Sequence, residues 1–165
     1  MILHVADDRL LYVLRHAKSD WTTDARTDFD RPLAPRGERA LGLLADHVRA
    51  EGIAPEVVLC SPARRARQTV EGVLPDVEVR FDDDLYGATV FELLGVLHRV
   101  DASAASVLLV GHNPGLHDLV EVLTGEDLDK FPTGGLATIG FRGSWSELGP
   151  ATGALRGLVR PRELH

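Results

Sequence analysis

Arg15-His16, with Lys18 two residues on, is the first cluster in the chain whose side chains suit chemistry. A cation, an imidazole and a second cation together suit a phosphate. Three more clusters follow. Arg64, Arg65 and Arg67 lie in Ser61-Pro62-Ala63-Arg64-Arg65-Ala66-Arg67-Gln68-Thr69, an acidic run spans Asp82-Asp83-Asp84, and His112 stands in Gly111-His112-Asn113-Pro114-Gly115. Gathered on one rim, they give two imidazoles, at least two guanidiniums and a carboxylate. The chemistry that fits is phosphoryl transfer through histidine. Charge on a transferring phosphoryl group spreads over its oxygens, which guanidinium forks can hold. A neutral imidazole attacks phosphorus in line and forms a covalent phosphohistidine. A second, protonated imidazole binds the same oxygens, and a carboxylic acid protonates the leaving group and later assists water. This set requires no metal: the histidines lack HExxH pairing, and Cys60 has no second cysteine with which to hold zinc.

The elements that must position these residues are readable from periodicity. Leu10-Leu11-Tyr12-Val13-Leu14 is a continuous apolar run, expected for a strand buried on both faces, and it ends in Arg15-His16. Asp20 to Asp30, with four Asp and three Thr, reads as a polar loop over that strand end. Ala40, Leu41, Leu44, Ala45 and Val48 repeat at helical spacing, and Gly52 ends the helix. Val57–Cys60 is a second strand. Ser61-Pro62 then matches an N-cap followed by proline at the first helical position. The N–H groups of such a helix start favour an anion. Val77–Phe81 alternates like a half-exposed strand, and Val90, Leu93, Leu94 and Leu97 mark another helix. Ser106–Val110 is the third apolar strand and ends in Gly111-His112; a helical stripe from Leu116 to Leu123 follows and stops at Gly125. Gly134–Phe141 and Ala154–Val159 complete the strands. Strands alternating with helices predict an α/β fold, a sandwich around a mostly parallel sheet. In open sheets of this kind ligands bind beyond the carboxyl ends of the strands. Each cluster alone has a blander reading, as a solvated helix face, an exposed turn or a structural histidine. His112 repeating the strand-end position of His16 favours a site.

Length and composition set the bounds. The 165 residues suit a single domain, 1–165, large enough for a sizeable core. A net charge of −7 with no basic block argues against nucleic acid or a membrane surface as partner. A single cysteine permits no intrachain disulfide, the opening Met1–Asp8 lacks the basic and apolar regions of a signal peptide, and no apolar run is membrane-length. A cytoplasmic location is expected.

The motifs taken together resemble the histidine phosphatase superfamily, the phosphoglycerate mutase-like branch 1. Leu14-Arg15-His16-Ala17-Lys18-Ser19-Asp20-Trp21 resembles its RHG signature, Ser61 to Thr69 its S-x-x-x-R-A-x-Q-T element, and Gly111-His112-Asn113-Pro114 its second-histidine motif. Arg31-Pro32-Leu33, Gly37 and the compact length look most like the SixA-type phosphohistidine phosphatases. The resemblance implies a three-layer α/β/α sandwich. It implies His16 as nucleophile, Arg15 and Arg65 gripping the phosphoryl oxygens, and His112 completing the pocket. Arg65 is chosen over Arg64 because it directly precedes Ala66. Lys18, Ser19, Arg31 and Asn113 become substrate contacts, and no cofactor is implied. Two departures stand out. Ala17 replaces the usual Gly, and the proton-donor segment offers Asp where larger members carry Glu. Asp83 has the better spacing to Gly87, with Asp84 second, and neither is the third possibility. A short acid suits a phosphoramidate, whose imidazole leaving group needs less help than an alkoxide.

The implied function is hydrolysis of protein phosphohistidine. A small-molecule phosphomonoesterase or mutase on the same scaffold is the nearest alternative, and a non-catalytic phosphate-binding module is the alternative of another class. The short stretch between the arginine-bearing helix and the acidic run leaves the site open, which favours a protein-borne substrate. A cysteine phosphatase is excluded, because Cys-x5-Arg counted from Cys60 meets Ala66. A P-loop NTPase lacks its Gly-x4-Gly-Lys-Ser/Thr.

Overall fold

The structure is a computed structural model and describes residues 7–165. The reading of the opening segment as free of a signal peptide rests mainly on residues 1–6, which lie outside the described residues. The buried apolar runs become strands. β1 (Arg9–Arg15), β2 (Val57–Cys60) and β4 (Ser106–Gly111) form the middle of one sheet, with β3 (Arg80–Phe81) and the pair β5 (Leu136–Phe141) and β6 (Gly153–Val159) outside them. The spatial order is β3-β2-β4-β1-β5-β6. The first four run parallel, and β5 and β6 are antiparallel additions at one edge.

Four helices cover the faces: α1 (Pro35–Ala50), α2 (Arg64–Val73), α3 (Val90–His98) and α4 (Gly115–Thr124). Side chains alternate across a strand, so each strand feeds both faces. Leu11 and Val13 of β1, with Val107 and Leu109 of β4, join the core under Leu93, Leu97, Leu116 and Leu119 of α3 and α4. Tyr12 and Leu14, with Leu108 and Val110, join the opposite core under Leu44, Val48, Ala66 and Val70 of α1 and α2. The result is the expected α/β/α sandwich. Burial on both faces is why these strands read as unbroken apolar runs. Among the described residues no helix is long and apolar enough to cross a membrane.

Two expectations need correction. The helix after β2 begins at Arg64, not Pro62. Ala63 occupies the cap position without a side-chain bond, and Ser61 Oγ accepts the Ala63 N–H at 3.3 Å from two residues back. The strand expected over Val77–Phe81 contracts to Arg80–Phe81, because only these two residues pair with β2 and both are exposed.

Register aligns the chemistry. Arg15 lies opposite Gly111, and Cys60 opposite Val110. Hence Arg15-His16, Ser61 and His112 leave three adjacent strands at one rim. Gly37 seats α1 against the loop that follows β1: a Cβ there would stand 2.1 Å from the Lys18 carbonyl oxygen. A Cβ on Gly42, further along the same helix, meets nothing within 4 Å. Gly37→Ala is therefore expected to destabilise the fold by about 1–3 kcal/mol, as overpacking does. Gly42→Ala is expected to be stabilising by about 0.5–1 kcal/mol through helix propensity. Urea unfolding of the two variants beside the parent checks both signs.

Candidate active site

The loop after β1 is held from several sides. His16 N–H donates to the Gly111 carbonyl of the neighbouring strand, and Gly134 N–H donates to the carbonyls of Arg15 and His16. The Gln68-Thr69 pair of α2 holds the same loop. Thr69 Oγ1 accepts the Ala17 N–H at 3.0 Å and donates to the Arg65 carbonyl at 2.7 Å. Gln68 Oε1 accepts the Leu33 N–H at 2.8 Å. The helix that carries Arg65 thus also fixes the backbone beside His16. Ala17 is fully buried, so the methyl group that replaces a hydrogen here is accommodated.

His16 is 6% exposed, and its Nδ1 lies 2.7 Å from the Ala17 carbonyl oxygen. A carbonyl only accepts, so Nδ1 carries the proton and Nε2 keeps its lone pair. Burial drives the His16 pKa down to about 3; the Ala17 carbonyl opposes this, while His112, Arg65 and Arg15 reinforce it. The His112 ring centroid is 5.2 Å from that of His16. His112 Nε2 shares a 2.7 Å hydrogen bond with Ser61 Oγ. Burial and then Arg65 bring the His112 pKa to about 4, with Asp28 pulling the other way. Both rings are neutral at pH 7, which corrects the expectation of a protonated second imidazole: burial and Arg65 leave His112 to meet an oxyanion as a neutral ring.

Arg65 is buried, whereas Arg64 and Arg67 are exposed. Arg15 Nη1 donates to the Phe131 carbonyl at 3.1 Å, and burial, then Arg65, lowers the Arg15 pKa. Among the described residues four buried side-chain atoms lack a hydrogen-bond partner, and three of them are Arg15 Nε, Arg65 Nε and His112 Nδ1. Buried polar groups without partners are rare and costly. Three of them on a pair of cations and an imidazole suit a small oxyanion.

Asp28, in the polar loop, was not singled out by sequence and is central here. Its Oδ2 accepts from Arg65 Nη2 at 2.9 Å and from the Tyr86 hydroxyl at 2.7 Å; its Oδ1 accepts from Arg31 Nε at 3.0 Å. Its backbone carbonyl accepts from Arg65 Nη1 at 2.7 Å. Burial alone would raise its pKa, but the bonds from Tyr86, Arg65 and Arg31 outweigh that and hold it well below the usual carboxylate range. Tyr86 also stacks edge-on against His112 and Phe29.

The remaining expected residues divide. Ser19 and Arg31 are buried and bond each other at 2.9 Å, with the Arg31 guanidinium 3.5 Å above the Trp21 ring. They brace Asp28 and through it Arg65. Asn113 Nδ2 donates to the Phe131 carbonyl, which also holds Arg15, and its Oδ1 accepts the His117 N–H. Its amide is therefore engaged in positioning. Lys18 is exposed. Asp83 is exposed, in the 3-10 turn Asp83–Leu85, and its carboxylate makes no hydrogen bond or ion pair with Arg15, His16, Arg65 or His112. Its neighbours Asp82 and Asp84 face Arg99 at 3.9 and 3.6 Å. Cys60 is buried in β2, and burial pushes its thiol pKa up, which suits a core residue.

Comparison with known proteins agrees with this architecture. The model of the histidine phosphatase superfamily (branch 1) matches residues 11–90. An uncharacterized protein of Mycobacterium tuberculosis (strain H37Rv) is 40% identical over 159 residues, covering 90% of this chain and all of that protein. The phosphohistidine phosphatase SixA of Escherichia coli is 30% identical over 142 residues, covering 78% of this chain and 83% of its own. A solved structure from Nakamurella multipartitia, described as a candidate SixA, superposes with a TM-score of 0.84 at 33% identity, covering 93% of this chain and 96% of that one. The three-layer, phosphoglycerate mutase-like sandwich is thus shared with SixA-type structures, and the chain belongs to the histidine phosphatase superfamily (branch 1).

Proposed function

We propose that this protein hydrolyses phosphohistidine on a protein substrate, through a covalent phosphoryl group on His16. Similarity to the E. coli SixA supports the substrate class. The observation that carries the reading is the protonation pattern of the site. Its nucleophile candidate is a neutral imidazole with a free Nε2, and the carboxylate bonded to Arg65, Asp28, is held ionised. An ionised carboxylate has no proton to give. Cleaving a phosphomonoester calls for proton donation to an alkoxide, whereas a P–N bond to imidazole breaks with far less help.

In the proposed reaction His16 Nε2 attacks phosphorus while the P–N bond of the substrate breaks in line, and the substrate imidazole, protonated on its other nitrogen, leaves as a neutral ring. Arg15 and Arg65 hold the equatorial oxygens, and His112 donates from Nδ1. The Ala17 carbonyl stabilises the charge that develops on the His16 ring. Water then attacks the phosphoryl group, His16 leaves, and inorganic phosphate is released. Asp28, Arg31 and Ser19 are positioning residues for Arg65. Asp83 and Asp84 stay as candidate donors only for an ester substrate, the alternative activity.

Mixing the enzyme with 32P-labelled phosphohistidine peptide and quenching in base is expected to trap a base-stable, acid-labile label. His16→Ala is expected to lose the label and at least about a thousandfold in turnover. Activity surviving in that variant would remove the nucleophile assignment. Turnover of a small phosphomonoester alone would move the function to the alternative, and reversible phosphate binding with no label would mark a binding module.

Asp83→Asn is expected to leave phosphohistidine turnover within about twofold, while Asp28→Asn lowers kcat/KM by about tenfold through loss of a charge-assisted bond to Arg65. Steady-state kinetics on the two variants separate these roles.

Stability is expected to fall with acid. Both imidazoles have native pKa values below the ordinary 6.5, at about 3 and about 4. Between those values and 6.5 the unfolded chain binds protons that the native state does not, so their contribution is complete above 6.5 and declines as pH falls toward 4. From pH 7.5 to 5.5 each ring should cost roughly 1 kcal/mol of unfolding free energy. His16→Gln is expected to remove about half of the histidine-dependent loss in urea unfolding at the two pH values.

A further inference from the structure

A groove of about 440 Å³ runs beside the site, lined by Lys18, Arg36, Arg39, Lys130, Arg160 and Arg162. No Asp or Glu is among its lining residues. In a chain of net charge −7, six cations on one concave surface are a strong local reversal of sign. Only Arg160 has an ion-pair partner among the described residues, Glu163 at 3.5 Å. Five cations held close together without counter-charges repel one another and raise the local affinity for an anion.

Two segments that line the groove adjoin the site along the chain. Lys18 is two residues beyond His16, and its backbone is gripped by α1 through the Ala34 N–H and the close approach of Gly37. Pro132 and Thr133, also in the lining, lie in sequence between Phe131, whose carbonyl holds Arg15, and Gly134, whose N–H holds His16. The groove and the site are thus built on the same two loop segments, 16–18 and 131–134. The lining also includes Leu43 and Pro161, which add apolar surface to the cations. Arginine forks over an apolar floor match carboxylates spaced along a polypeptide.

We propose that this groove binds an acidic, Asp/Glu-bearing segment of the phosphoprotein that flanks its phosphohistidine. The proposal rests on the phosphohistidine reading above and adds the recognition element to it. Electrostatic recognition of this kind acts on encounter and KM and is screened by salt.

The test compares phosphohistidine peptides with acidic and with neutral flanks, and phosphoramidate as a flank-free substrate, on the parent enzyme and on Arg39→Glu/Arg162→Glu. The parent is expected to show a KM about tenfold lower for the acidic-flanked peptide, a preference that shrinks as salt rises from about 50 to 300 mM. The double variant is expected to lose that preference while its phosphoramidate turnover is unchanged. Equal KM values for acidic and neutral flanks in the parent would overturn the proposal without any variant having to fold. A fluorescent unphosphorylated acidic peptide separates the two readings. Its binding to the parent and not to the double variant, with no phosphopeptide turnover, would uphold the groove and reject the phosphohistidine substrate. Turnover without any charge preference would uphold the substrate and reject the groove. Binding of inorganic tripolyphosphate but not of the acidic peptide would make the groove a small-polyanion site and overturn the proposal.

Discussion

The Ala17 carbonyl decides what the rest of the site can do. By accepting a hydrogen bond from His16 Nδ1–H it fixes the tautomer and leaves Nε2 as the free base. Neighbouring elements serve to keep that carbonyl and that ring in register. Thr69 holds the Ala17 N–H, Gly111 takes the His16 N–H, and Gly134 bonds the carbonyls of Arg15 and His16. α2 therefore has two tasks, delivering Arg65 to the pocket and clamping the backbone beside the nucleophile candidate. The spacing Arg65-Ala66-Arg67-Gln68-Thr69 puts Thr69 four residues beyond Arg65, one helical turn on, where its hydroxyl reaches the Arg65 carbonyl.

Charge balance is the second constraint. Two guanidiniums and two imidazoles gathered at one rim would repel one another if all were charged, and the structure responds in two ways. The rings stay neutral, and Asp28 bridges Arg65 and Arg31 and offsets one of their two charges. The same arrangement that silences Asp28 as an acid makes it a brace. Its deprotonation disqualifies it as a donor, and this links the electrostatics of the pocket to the substrate proposed for it.

The sheet and both histidines could be read directly from the chain. Strands buried on two faces have to be apolar throughout, and the two strands that end in histidine proved to be neighbours. Arg65 could be separated from Arg64 and Arg67 by its place before Ala66, and it alone of the three is buried. Asp28 was not readable. It is one of four Asp in a loop without periodicity, and its partners Arg65 and Tyr86 are 37 and 58 residues away. Only a folded chain brings them together. Asp83 had the right sequence spacing, but spacing along a loop does not fix where a carboxylate points. The start of α2 moved from Pro62 to Arg64 because Ser61 faces His112, a long-range partner that overrides the local capping signal.

Imidazole 15N NMR on the free protein and on the phosphorylated one tests the central claim most directly. At pH 6 the His16 ring should be neutral with its proton on Nδ1, and after reaction with phosphoramidate the phosphorus should couple to Nε2 of that same ring. A cationic His16 at pH 6, a proton on Nε2, or phosphorus on any other residue would contradict the account.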